Sequence, residues 1–331
     1  MVAIRSEGLT KYYGDVCGIE DLTFDVNEGE IFGFLGPNGA GKTTFIRTLL
    51  GFLSPTAGSA ELLGYDITDD RALVTAMEQV GYLPSEPGLD DGVTGRRLLD
   101  HYGALRGDTR SEELLELFTP PLDRKVGEYS RGNKQMLAIV IAFMHDPSLV
   151  LMDEPTSGLD PLKQERFHEF VRSEVAAGKT MFLSSHVLSE VQKVCDRVGI
   201  IREGRLVELE TVEELLSRGG KVVRVRVRGE VGPEAFTIDS VHDLTIGAGA
   251  DEGLVGHSSD STTASFTYTG DYDALVAHLA GFEILGIDIE EAPLEDVFLQ
   301  FYGDAPDSDG TGPGAAADAE PGTGSDSGGS D

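Results

Sequence analysis

The sequence predicts an α/β protein built on a mainly parallel sheet with helices against its faces, and three observations carry that reading. Short β-rich runs at 31–35, 149–152 and 180–184 alternate with helix-length segments such as 163–176 and 188–195, the order that gives parallel strands joined by helices. The first thirty residues differ: 2–9 and 16–26 read as strands with no helix between them, which predicts an antiparallel flap. Near Gly219 and Gly220 the pattern changes again. Strand-like runs at 222–227 and 263–269, a helix around 271–279, a strand at 283–289 and a short helix through 294–301 predict a small α+β unit over 221–303. Residues 304–331 are mostly Gly, Ser, Asp, Pro and Ala, with no Lys, no Arg and no large apolar side chain. Such a stretch cannot offset its ordering entropy by burial, so a disordered acidic tail is expected.

Composition narrows the function classes. The chain has 331 residues with 40% hydrophobic content, enough for an ordinary core. Its longest apolar run near the middle, 136–144, is about half the roughly 20 residues a bilayer-spanning helix needs. No membrane crossing is expected. The opening residues Met-Val-Ala-Ile-Arg-Ser-Glu lack a basic start and an apolar stretch, so the expected compartment is the cytoplasm. Cys17 and Cys195 have no CxxC spacing and sit among apolar neighbours, and both read as small core residues. Acidic residues number 58 against 26 basic, for a net charge of −32, a field that repels phosphodiester backbones and argues against a nucleic-acid partner. Because the acids are spread along the whole chain and Lys is rarer than Arg, a surface adapted to concentrated salt, and so a halophilic source, is expected. The plainer alternative is a soluble acidic protein with an acidic tail.

The strand at 31–35 runs into Gly36-Pro37-Asn38-Gly39-Ala40-Gly41-Lys42-Thr43, which fits G-x-x-x-x-G-K-[ST] at every fixed position, with Thr44 next on the following helix. Glycines let backbone N–H groups turn inward around phosphates, and a helix starting near Lys42 points its positive end at them. Lys42 is expected on the β- and γ-phosphates and the Thr43 hydroxyl on Mg²⁺. The strand at 149–152 delivers Asp153-Glu154 at its carboxyl end, the edge of a parallel sheet where ligands bind. Alone, such a pair is ordinarily a solvated turn. Beside a phosphate loop, Asp153 fits a Mg²⁺-linked carboxylate and Glu154 a general base for water.

Further motifs resemble one family. Tyr129-Ser130-Arg131-Gly132-Asn133-Lys134-Gln135 is similar to the signature of ABC ATPases, usually Leu-Ser-Gly-Gly-Gln. Pro155-Thr156-Ser157-Gly158-Leu159-Asp160 resembles their D-loop, Ser184-Ser185-His186 their switch histidine, and Tyr13 the aromatic residue that stacks on adenine. The set, in the right order, extends over roughly 1–216. The resemblance implies an ABC-type P-loop ATPase domain over 1–218 with a helical subdomain at about 84–145, binding ATP and Mg²⁺. It implies nucleotide contacts from Tyr13, the 36–44 loop, Ser130, Gly132 and Asp160, with Ser130 and Gly132 serving the opposite subunit's γ-phosphate. It assigns His186 a catalytic role beside Glu154. It also implies a second ATPase subunit, identical or not, and a polytopic membrane permease that holds the chain at the inner face of the cell membrane.

Alternatives stay open for single residues: Tyr13 as a strand-end aromatic, His186 as a helix cap, Asp160 as a turn former. Two positions depart from the family pattern. Tyr82-Leu83-Pro84-Ser85-Glu86 has Ser85 where relatives carry a Gln that contacts Mg²⁺ and the attacking water, so Ser85 is a metal-site candidate acting only through a water, and Glu86 reads as a solvated acid. Arg131 replaces the first signature Gly, a Tyr-Ser-x-Gly form similar to exporter ATPases, whose C-terminal segment Pro293-Leu294-Glu295-Asp296-Val297-Phe298-Leu299 also resembles. A soluble ABC-type ATPase of translation or chromosome mechanics is the alternative, and the single phosphate loop without a coiled-coil insertion argues against it.

Overall fold

The computed structural model describes residues 1–236, 240–247 and 261–291. The chain opens with a hairpin, β1 (Val2–Tyr13) and β2 (Val16–Asn27), then β3 (Ile31–Leu35) and α1 (Lys42–Leu49). β4 (Ala57–Leu62), β5 (Tyr65–Asp66) and α2 (Asp70–Met77) lead to β6 (Val80–Leu83). Three helices follow: α3 (Gly95–Arg106), α4 (Ser111–Leu117) and α5 (Arg131–Phe143). Alternation resumes with β7 (Leu149–Asp153), α6 (Pro161–Ala176), β8 (Thr180–Ser185), α7 (Leu188–Val194) and β9 (Arg197–Arg202). β10 (Arg205–Thr211) and α8 (Val212–Gly219) come next, and the last described elements are β11 (Lys221–Arg228), β12 (Val241–Gly247), β13 (Ser261–Tyr268), α9 (Tyr272–Leu279) and β14 (Ile284–Glu291).

The central sheet has the order β10-β9-β3-β8-β7-β6, parallel throughout except for β10. Its two-residue side-chain period feeds two cores, because a parallel sheet is covered on both faces. Ile31, Leu35, Val150, Met152, Met181 and Leu183 pack with the helical layer of α5 and α6. Phe32, Phe34, Leu149, Leu151 and Phe182 pack on the other side with Phe24 of β2 and Phe45 of α1. There Phe24 stacks on Phe32 with ring centroids 5.4 Å apart, and each such buried ring stabilises the fold by roughly 2–3 kcal/mol. The flap is the antiparallel sheet β2-β1-β4-β5. Arg110, before α4, forks onto Glu174 of α6 at 2.6 and 2.7 Å and so fastens the start of α4 to α6 within the helical layer.

A second antiparallel sheet, β12-β13-β11-β14, has its own core of Val223, Val225, Val227, Phe236, Phe266 and Leu275. β12 was not foreseen: its apolar residues Val241, Leu244 and Ile246 do not alternate regularly, and Asp243 sits at φ +54, where the register of its pairing with β13 shifts. α8 was missed as well, although Thr211 and Glu214 form a reciprocal capping box at its start. The helix expected at 294–301 and the tail at 304–331 lie outside the described residues. Among the described residues no helix is long and apolar enough to cross a membrane.

Candidate functional site

The site grows from the end of β3, whose five residues are all buried. Gly36 follows where no side chain fits, since a Cβ would lie 2.4 Å from the Ile201 carbonyl oxygen. Gly41 sits at φ +112, and a Cβ there would meet the Gly18 carbonyl oxygen at 2.5 Å. Both positions therefore demand glycine. The loop between them lets Lys42 turn back: its Nζ donates to Gly36 O at 2.6 Å and Pro37 O at 3.1 Å and lies 3.8 Å from Glu154 Oε1. Burial pulls the Lys42 ammonium below its ordinary pKa, and the charges of Glu154 and Asp153 oppose that shift.

Asp153 ends β7, 1% exposed, with both carboxylate oxygens engaged. Thr43 Oγ1 donates to one at 2.8 Å and Ser184 Oγ to the other at 2.5 Å. Thr43 and Asp153 are hard oxygen donors in contact, a pair that suits Mg²⁺, which takes one or two protein oxygens and fills its shell with water and phosphate oxygens. Among the described residues no cluster of three His, Cys, Asp or Glu side chains forms a self-sufficient metal cage. The donor set fits a metal brought together with a phosphate.

Glu154 has φ +49, a left-handed conformation held by its N–H to Ser184 O at 3.0 Å and by Ser157 N–H to its own carbonyl at 3.1 Å. Strain of this kind costs on the order of 1 kcal/mol and gathers at working sites. The Glu154 carboxylate meets His186 Nδ1 at 2.8 Å. His186 does not cap α7, because Val187 occupies the N-cap position without a side-chain hydrogen bond.

A cavity of about 510 Å³ opens on these groups. Pro37, Asn38, Gly39, Gly41, Lys42, Thr43 and Thr44 line it with Asp153, Glu154 and Ser85. Tyr13, half-exposed at the end of β1, walls one side with its hydroxyl 3.4 Å from Thr44 Oγ1. Gly36 and Ala40 shape the loop from beneath; the Ala40 carbonyl accepts from Gly204 N–H at 2.9 Å. Ser130, Gly132 and Asp160 stay out of the cavity. Ser130 caps α5 by accepting from Asn133 N–H at 3.2 Å, and Asp160 caps α6 by accepting from Lys163 N–H at 3.0 Å. Gly132 packs so closely on the D-loop segment that a Cβ would meet Gly158 O at 2.7 Å.

One sequence reading is corrected by the fold. Cys195 is a core residue, but Cys17 is half-buried and lines the cavity, because the outer face of the hairpin forms a wall. Glu86 is exposed, as a solvated acid should be, and stands at the rim of the cavity. Arg47 and Arg131 at the cavity, and Ser184 on Asp153, were missed. For Ser184 the signal was present in the Ser-Ser-His segment, but a hydroxyl beside a motif residue gives no sign of its target.

The model of the ABC transporter family matches residues 19–157. The chain is 31% identical over 310 residues to the bacitracin transport ATP-binding protein BcrA of Bacillus licheniformis, covering 91% of this chain and 97% of that one. It is 33% identical to the daunorubicin resistance ATP-binding protein DrrA3 of Streptomyces coeruleorubidus, covering 91% and 96%. A solved ATP-binding subunit of an ABC transporter superposes with a TM-score of 0.60 at 30% identity, over 65% of this chain and 92% of that one. A phosphate loop beside a carboxylate–histidine pair, in a fold and sequence shared along nearly the whole length of such relatives, makes this chain a member of the ABC transporter family, its ATP-binding and ATP-hydrolysing subunit.

Proposed function

We propose that the chain powers an exporter by hydrolysing MgATP in a head-to-tail dimer, held against a polytopic membrane partner at the cytoplasmic face. The observation that carries this reading is the separation of two half-sites. Lys42, Thr43, Asp153 and Glu154 converge on one cavity, while Ser130 and Asp160 stand outside it at the starts of α5 and α6. A helix start whose capping hydroxyl keeps its own hydrogen suits a phosphate oxygen, and in this reading that phosphate belongs to the second chain's nucleotide.

In this reading the adenine stacks on Tyr13, and the loop N–H groups and Lys42 hold the phosphates. Thr43 and Asp153 would hold Mg²⁺, which would supply charge neutralisation on the phosphates. Ser85 reaches this shell through a water. Glu154 takes the proton of the attacking water, and His186 orients Glu154 through the 2.8 Å contact. Export is supported by the names of the relatives, which describe bacitracin transport, Nod factor export and daunorubicin resistance. A second, mostly apolar groove of about 330 Å³ is lined by Leu50, Phe52, Tyr82, Pro84, Leu89 and Tyr102. Tyr82 and Pro84 line both groove and cavity.

Mixing two inactive variants tests the dimer. Lys42→Ala and Ser130→Glu chains, inactive alone, form heterodimers with one intact composite site. Statistical exchange then restores about one quarter of wild-type turnover. Failure to recover turnover in a mixture that does exchange subunits would overturn the composite site.

A further inference from the structure

Glu190, in the first turn of α7, stands behind the catalytic pair. Its Oε1 accepts a hydrogen bond from Thr156 Oγ1, and its Oε2 accepts one from Ser185 Oγ at 2.8 Å. Both donors are buried, Thr156 at 5% exposure and Ser185 at 1%. Thr156 lies two residues after Glu154, and Ser185 immediately precedes His186. The Ser185 oxygen is itself fixed by Val187 N–H at 2.9 Å, which leaves its own hydrogen for the carboxylate. One carboxyl side chain therefore clamps the two segments whose side chains meet at Glu154 and His186. Hydrogen bonds to a carboxylate are roughly twice as strong as neutral ones, so the clamp is stiff. Glu190 lines neither cavity.

From this geometry we infer that Glu190 is a positioning residue for ATP hydrolysis, setting the distance between the Glu154 and His186 segments through Thr156 and Ser185. The inference rests on the reading of Glu154 as base and His186 as its partner. It separates two quantities. Nucleotide affinity depends on the 36–44 loop and is independent of the clamp, whereas turnover depends on where the Glu154 oxygen sits. A misplacement near 1 Å costs about 100-fold in rate.

The test measures ATP affinity and turnover in the full-length chain for Glu190→Ala, Glu190→Gln and Thr156→Val. Glu190→Ala is expected to lower kcat by about 10- to 100-fold with ATP Kd changed less than about two-fold. Glu190→Gln keeps the shape and one accepting oxygen and is expected to recover most of the loss; Thr156→Val deletes one of the two donors at nearly constant volume, is expected to lower kcat in the same direction, and stands in if the alanine variant folds poorly. In the Glu190→Ala background, His186→Ala is expected to cost little more, because residues acting as one unit are not additive. Wild-type kcat in Glu190→Ala, a parallel rise in Kd, or full additivity with His186→Ala would overturn the inference. If Glu154→Gln and His186→Ala themselves leave turnover intact, the reading of the catalytic pair has failed, and the inference with it. If they abolish turnover and Glu190→Ala does not, the inference alone fails.

Discussion

Changing Glu154 to Gln removes one negative charge at nearly constant volume, in a place where that charge has two partners. Lys42 Nζ is 3.8 Å away and His186 Nδ1 is 2.8 Å away. At an effective dielectric near 20, the attraction between Lys42 and Glu154 is about 4 kcal/mol before desolvation. Incoming phosphates must take Lys42 from Glu154 and then sit beside the carboxylate. Since most of that attraction is recovered by the phosphates themselves, a net relief of about 1.4 kcal/mol is expected on removing the charge, or tenfold tighter ATP binding. Turnover is expected to fall by about 100- to 10,000-fold, the usual cost of losing a general base. Lys42→Ala acts in the opposite direction on affinity. It deletes a buried cation 6% exposed and leaves Asp153 and Glu154 facing the phosphates without it, so binding is expected to weaken by about 10- to 100-fold. Titration with a fluorescent ATP analogue, steady-state turnover, and gel filtration with MgATP separate the two defects. The Glu154→Gln chain is expected to elute as a nucleotide-bound dimer. A Glu154→Gln protein that turns over ATP at the wild-type rate, or binds it more weakly than wild type, would refute the role drawn for this carboxylate.

Three further outcomes follow from burial and charge. Glu174 is nearly buried, and although burial raises its pKa, the hydrogen bonds from Arg110 and Lys179 carry the net shift downward; Arg110→Met is expected to cost about 3 kcal/mol in urea unfolding, and a loss below about 1 kcal/mol would count against the ion pair as the fastening of the helical layer. Burial, with Arg106 nearby, pushes the His145 imidazole down to about 4. Because the folded pKa lies below the ordinary 6.5, this stability is complete above that pH and is lost as pH falls toward 4, by at most about 3 kcal/mol before solvent screening. His145→Asn should flatten the stability profile across that window, and an unchanged slope contradicts the assignment. With 58 acidic against 26 basic residues, close carboxylates repel in the folded state, so thermal midpoints should rise from dilute buffer to molar KCl; equal midpoints argue against a salt-adapted surface.

How much of this was legible in the sequence depends on whether a residue acts through its neighbours in the chain or through distant ones. The phosphate loop could be read from spacing, because strand, turn and helix are consecutive and Gly36 and Gly41 answer to local sterics. The parallel sheet followed from alternation of runs, and the strand at 149–152 needed only Asp153 added to its end. Contacts across long separations were invisible. Ser184 meets Asp153 across 31 residues and Thr156 meets Glu190 across 34, and nothing local in either serine or threonine announces the partner. Cys17 misled for the same reason: it has an ordinary neighbourhood in the chain, and only the folding of the hairpin makes it a cavity wall.

The same distinction explains why Arg131 can replace a glycine in the signature without opening the site. Its Nη2 donates to Ser157 Oγ at 2.6 Å, and its aliphatic stem lies where a Cβ on Gly158 would come within 2.7 Å of Arg131 Cγ. One turn further along α5, buried Gln135 donates to the Pro155 carbonyl at 2.8 Å. The segment 155–158 is therefore gripped from the α5 side by Arg131 and Gln135 and from the α7 side by Glu190 through Thr156. Gly158, at φ +80, is the residue that lets the backbone turn back toward α5 at this point. Ser130, one residue before Arg131, and Glu154, one residue before Pro155, consequently belong to a single packed unit. A shift of α5 cannot leave the 155–158 segment in place without breaking two hydrogen bonds and losing a tight backbone contact. Whatever binds at the start of α5 is thereby connected, through side chains already in contact, to the carboxylate in this chain's own cavity.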